Sequence, residues 1–126
     1  MRILIFPPSA STSGTPRKIV FAAKTSKEVE AFAVWLQTEV TDNERKKLYN
    51  LLRVCCSHSE FPLHHSPEKF KLEFDGIFAL KSFQIRLFGF QEDRHFIVFH
   101  YMKKKKDKLS KSDIETINRK YEECQQ

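Results

Sequence analysis

IFALKSFQIRLFGFQEDRHFIVFHYMKKKK, running from Ile77 to Lys106, is the stretch that decides how this chain is read. Two apolar runs rich in aromatic and β-branched residues, Ile77 to Phe90 and His95 to Met102, flank the polar turn Gln91-Glu92-Asp93-Arg94. That is the pattern of a long antiparallel hairpin. Four lysines, Lys103 to Lys106, follow at once. Lys81, Arg86, His100 and Tyr101 lie inside the hairpin, so cationic and proton-active groups are carried on strands, which hold side chains in fixed geometry.

Side chains on a strand alternate between faces. Ile85 and Leu87 therefore share one face, and Arg86, Phe88 and Phe90 the other. With helices packed on the first face, Arg86 is expected on an open face. Along the next strand Phe96, Val98, His100 and Met102 share one face, and Ile97, Phe99 and Tyr101 the other. His100 and Tyr101 then diverge unless the strand twists or bulges near its end.

Working outward, Arg17 to Ala22 reads as a first strand. Thr25-Ser26-Lys27-Glu28 is a capping box that opens a helix, whose apolar stripe is Val29, Phe32, Ala33, Leu36 and Val40. Thr41-Asp42-Asn43-Glu44 repeats the signal before the stripe Leu48, Leu51, Leu52 and Cys55, so two helices pack as a tight hairpin. Ser57 to Pro67 reads as a loop. It carries His58, His64 and His65 near Cys55 and Cys56, but at no established zinc spacing, and the expected metal set is none. Phe70, Leu72 and Phe74 alternate with polar residues before the turn dipeptide Asp75-Gly76, so a strand precedes the hairpin. Ser110 to Cys124, with caps at Ser110 or Ser112 and apolar Ile114, Ile117, Tyr121 and Cys124, predicts a short C-terminal amphipathic helix. The expected fold class is α+β, an antiparallel sheet with two N-terminal helices packed on one face. Residues 1–16, which include PPSASTSGTP, are expected to be a leader and linker, and residues 17–126 one domain. Ile3 to Phe6 reads either as an edge strand or as a segment with no structural role.

Charge narrows the partners. The 126 residues hold 22 Lys+Arg against 16 Asp+Glu, a net +6, with the surplus concentrated between Met102 and Lys111. A phosphate-rich partner is favoured over a merely solvated basic face. The Cys55-Cys56 pair and Cys124 make no disulfide framework, which fits a reducing cytoplasm. No stretch is long and apolar enough for a membrane span or a signal sequence. No Gly-rich nucleotide loop stands out, and no cofactor is expected.

Several of these spellings together resemble a known family. Phe78-Ala79-Leu80-Lys81, Gln84-Ile85-Arg86-Leu87, Ile97-Val98-Phe99-His100-Tyr101 and then Lys103-Lys104 before a polar helix resemble the RelE/HigB superfamily of type II toxins, in its phage-derived, HigB-like branch. Ala79 stands where that branch usually has Glu, and no Pro stands near Leu109 or Ser110. The resemblance implies a RelE-like fold and the toxin of a toxin-antitoxin pair, silenced by a small antitoxin, expected to be a helix-turn-helix protein. It also implies cleavage of messenger RNA on the ribosome by a set of basic side chains. Lys81, Arg86, Lys103 and Lys104 match the basic positions; His100 and Tyr101 are further catalytic candidates, Tyr101 preferred because a chain leaving the sheet often loses strict alternation, and Lys105, Lys106 and Lys108 are expected to bind RNA. Metal-free RNA cleavage lets the 2′-hydroxyl attack its own phosphate, which needs a base, cations for the developing charge, and an acid for the leaving oxygen. The alternative readings are a noncatalytic RNA- or ribosome-binding module of the same fold, and a phage-derived domain whose interface is protein.

Overall fold

Thr25 and Thr41 each start a helix by the reciprocal exchange their spacing predicts. The Glu28 amide donates to the Thr25 hydroxyl while the Thr25 amide donates to the Glu28 carboxylate, both at 3.2 Å. Thr41 and Glu44 repeat the exchange at 2.9 and 3.2 Å. The computed structural model describes residues 2–5, 17–57, 70–74, 76–104 and 108–125. In chain order these form β1 (Arg2–Ile5), β2 (Lys18–Ala23), α1 (Ser26–Thr38), α2 (Asp42–Ser57), β3 (Phe70–Phe74), β4 (Ile77–Ser82), β5 (Ile85–Glu92), β6 (His95–Lys103) and α3 (Lys111–Gln125). The class is α+β, as expected. β1 takes the strand alternative for the N-terminal residues and pairs antiparallel with β2. The rest of the linker, residues 6–16, and His58, His64 and His65 of the expected loop lie outside the described residues.

The sheet order is β1-β2-β6-β5-β4-β3, and its pairing corrects the antiparallel expectation. β3, β4, β5 and β6 form an antiparallel meander, but β2 joins β6 in parallel, Val20 opposite Ile97. The sheet is therefore mixed. The cause is parity. Three successive reversals leave β6 antiparallel to β3, and the two-helix excursion between β2 and β3 reverses the chain once, so β2 and β6 run the same way.

A second correction concerns Ile77 to Phe90. The run is folded back on itself at Phe83-Gln84, with Ser82 opposite Ile85. Phe83 takes φ 55°, the left-handed value that primed two-residue hairpin turns require and that bulky residues rarely adopt. The following turn is tighter than its polar run suggested, Asp93-Arg94 alone, with Asp93 at φ 53°.

The third correction is a one-residue bulge. Gly89 pairs with Val98 but Phe88 pairs with His100, leaving Phe99 as the extra residue in β6. Alternation is reset there. Phe96, Val98 and Tyr101 face α1 and α2, whereas Ile97, Phe99 and Met102 join the cluster on the α3 side.

Two cores follow from these faces. Phe32, Leu36, Val40, Leu48, Leu52 and Cys55 pack on Ile19, Phe21, Leu80, Ile85, Leu87, Phe96 and Val98. On the opposite face Ile117 of α3 packs on Ile77, Ala79, Phe88, Phe90 and Phe99, with the Tyr121 ring edge-on to Phe90 at 5.4 Å. The face expected to be open is thus covered in part by α3. Ser110, not Ser112, caps that helix, exchanging bonds with Asp113 at 3.0 Å in each direction.

Gly89 shows how tightly the central strands meet at the bulge. A Cβ there would lie 2.6 Å from the Ile97 carbonyl oxygen and 2.7 Å from the Phe96 ring. Gly89→Ala is expected to destabilise the fold by about 1–3 kcal/mol through overpacking, read as a lowered unfolding midpoint; an unchanged midpoint would show that the two strands can separate freely.

Candidate functional site

The basic candidates come together where β4, β5 and β6 meet the start of α3, but not as one converging set. Lys81 and Arg86 are direct cross-strand neighbours, and Met102 lies opposite Arg86 on the other side. These three share the α3 face with His100. Lys104 leaves β6 on the same side, its ammonium 3.1 Å from the Asp113 carboxylate of α3. Lys103 goes the other way, to the Glu44 carboxylate and the Glu39 carbonyl, each at 3.0 Å. Tyr101 also faces α1. The six catalytic candidates are therefore split four and two across the sheet.

Arg86 is not the outward-facing cation that alternation suggested. It lies on the predicted face but is only 6% exposed. Its guanidinium donates to the carbonyl of Phe83 and, at 3.1 Å, to that of Ile85. An arginine so held fixes the β4–β5 turn from inside. Its five donors suit this work, since a buried carbonyl left unbonded is costly.

His100 stands beside Phe88, ring centroids 5.9 Å apart. Burial above all, then the Lys120 and Arg119 cations of α3, pulls its pKa down to about 4 against the partial opposition of Asp113. The imidazole is neutral at pH 7 and has a lone pair to accept a proton. Tyr101 packs its ring at 4.7 Å from Trp35, 4.8 Å from Phe32 and 5.7 Å from Phe21. Burial, reinforced by the Glu28 carboxylate, pushes its phenol pKa up. The phenol therefore stays protonated and is a weaker acid than a solvent-exposed tyrosine.

Of the expected RNA-binding lysines, Lys108 is exposed ahead of α3. Lys105 and Lys106 lie outside the described residues. All three cysteines are free thiols, and burial pushes Cys55 to about 12 and Cys56 to about 11, so both stay protonated at neutral pH in the metal-free chain. Among the described residues, no helix is long and apolar enough to cross a membrane.

The sequence reading overlooked Phe83 and its neighbours. Phe83 is 62% exposed at the tip of the β4–β5 turn, with the Lys47 ammonium of α2 4.4 Å from its ring centre. The available signal was the polar trio Lys81, Ser82 and Gln84, which interrupts an otherwise apolar run.

The His100 environment sets a pH dependence. The unfolded chain binds a proton here near pH 6.5, whereas the folded chain waits until about 4. Between those values the unfolded state holds more protons, so stability falls as pH drops through that window. His100→Gln is expected to remove this part of the acid sensitivity, and NMR of the wild type should show a neutral His100 imidazole at pH 5. A His100 that titrates near 6.5 would overturn the assignment.

A scan against protein-family models finds no match, and a search of curated proteins finds none either, so the functional reading rests on the residues and their geometry.

Proposed function

We propose that this chain is a RelE/HigB-like endoribonuclease, the toxin of a toxin-antitoxin pair, which cuts messenger RNA on the ribosome in the cytoplasm. The observation that carries the reading is the gathering of Lys81, Arg86, His100 and Lys104 on one face of three adjacent strands. Neutral His100 accepts the proton of the 2′-hydroxyl as its oxygen attacks phosphorus. The bond to the 5′-oxygen breaks, a 2′,3′-cyclic phosphate forms, and a lysine ammonium supplies the leaving oxygen with its proton. Lys81 and Lys104 stabilise the developing charge. Arg86 acts through the turn that it holds. Lys108 attaches the RNA backbone, together with Lys105 and Lys106. The three free thiols suit a reducing compartment, and the partner that silences the toxin is a small helix-turn-helix protein.

One observation favours a second reading, a noncatalytic RNA- or ribosome-binding module. Lys103 and Lys104 are each engaged by a carboxylate, and Arg86 is buried against backbone carbonyls. Binding tolerates such engagement better than catalysis does.

Controlled expression followed by mapping of RNA ends separates the two. The enzyme reading expects new ends inside translated regions and growth arrest. It also expects single-turnover cleavage to fall about a hundredfold or more in His100→Gln, the size of a lost general base, with ribosome binding kept. Intact messages alongside ribosome binding would leave the binding module.

A further inference from the structure

The β4–β5 turn is an odd place for a phenylalanine. Phe83 keeps 62% of its surface exposed and holds φ 55°, a backbone state that costs of order 1–3 kcal/mol for a residue with a side chain. Glycine would adopt it freely. The surroundings sustain the conformation: Arg86 bonds the Phe83 carbonyl from the buried side, and the Lys104 amide donates to the Gln84 carbonyl at 2.7 Å. The ring is thus presented to solvent by a buried anchor beneath it. Beside it opens a pocket of about 300 Å³ lined by Asn43, Glu44, Lys47, Phe83 and Gln84.

We infer that this pocket is a subsite for one unpaired nucleobase of the RNA, stacked on Phe83. The inference rests on the RNA reading above and adds a place where the strand is gripped. Three features select a base over other occupants. An exposed aromatic ring is the platform on which unpaired bases stack. Asn43 and Gln84 each present an amide donor and acceptor, the pairing needed to meet a base edge. A base on the ring takes the place of the Lys47 ammonium, which lies 4.4 Å from the ring centre, and Lys47 and Lys103, the latter bonded to the pocket's own Glu44, are then the cations beside the flanking phosphates.

The site lies on the Lys103 side of the β6 end, across the sheet from His100 and Lys104. The base it holds is therefore a neighbour of the cleaved nucleotide and not that nucleotide itself. Occupancy orders the strand before chemistry, so loss of the stack weakens binding more than it slows the bound complex.

The test is binding of a fluorescein-labelled single-stranded RNA dodecamer of mixed sequence by the full chain, followed by anisotropy at fixed salt, with the matching duplex as a comparison. Phe83→Ala is expected to weaken single-strand binding roughly tenfold or more, the range a base–aromatic stack is worth, with little change for the duplex. Phe83→Trp is expected to retain the affinity, and its indole fluorescence to be quenched as RNA is added. Because Phe83 is largely exposed, neither change should lower the unfolding midpoint. If the wild type binds the single strand and Phe83→Ala binds it equally, or if Phe83→Trp shows no quenching at saturating RNA, the subsite is overturned while the RNA reading stands. If the wild type binds no single-stranded RNA, the subsite is likewise overturned, and message cleavage after induction then judges the enzyme reading separately.

Discussion

One extra residue in the central strand governs the arrangement of both faces. Because Phe99 has no opposite number in β5, every β6 side chain beyond it is shifted relative to simple alternation. Tyr101 is sent into the aromatic cluster with Phe21, Phe32 and Trp35, and His100 to the α3 side beside Phe88. Without the bulge the phenol would meet α3 and the imidazole would lie in the core beneath α1, where burial would cost it still more. The tight approach of Gly89 to the Ile97 carbonyl and the Phe96 ring is the other half of the same constraint. The bulge and the glycine fit each other, and α3 has a matching apolar surface to land on as a consequence.

Local chemistry was legible in the sequence wherever a side chain bonds its own backbone nearby. Both capping boxes and the Ser110 cap depend on residues within three or four positions, and each helix begins where its cap stands. Features set by distant partners were not legible. Nothing near Phe83 marks a left-handed turn, since neither Gly, Asn nor Asp stands there; the turn is held by Arg86 from within. A bulge leaves no mark in an apolar run, because Phe96 to Phe99 is apolar on both faces whichever way it points. The parallel β2–β6 pairing depends on the direction in which the two-helix excursion returns the chain, which the antiparallel pattern of the meander does not carry.

Residue type pointed to the candidates, and the sheet then sorted their faces. Lys81 and His100 share a face through the register of adjacent strands, and Lys104, just past the end of β6, leaves on the same side, which spacing alone cannot tell. Arg86 is the instructive case. An isolated arginine amid apolar strand residues invites a functional reading, yet an arginine is also the side chain best equipped to satisfy several carbonyls of a strained turn. Whether it meets solvent or backbone depends on what lies over it, and α3 reaches that face from the far end of the sequence.

The paired lysines at the end of β6 are held by carboxylates that already have another task. Glu44 and Asp113 cap α2 and α3, and each takes one of the consecutive lysines as well, Lys103 and Lys104. The Thr41 amide first, with Lys103 after it and against some burial, holds Glu44 below its ordinary pKa; the Ser110 amide and Lys104 do the same for Asp113. A phosphate that draws either lysine away therefore leaves no stranded charge, because the helix-start amides continue to bond the carboxylate. The Lys103–Glu44 and Lys104–Asp113 pairs are partly exposed, a setting in which an ion pair contributes about 0.2–1 kcal/mol, so either ammonium can be drawn away at small cost. The two ammonium groups are held in defined positions, which lowers the ordering entropy that an anionic partner would have to overcome. The same carboxylates that begin α2 and α3 thus hold the two consecutive cations on opposite faces of the sheet.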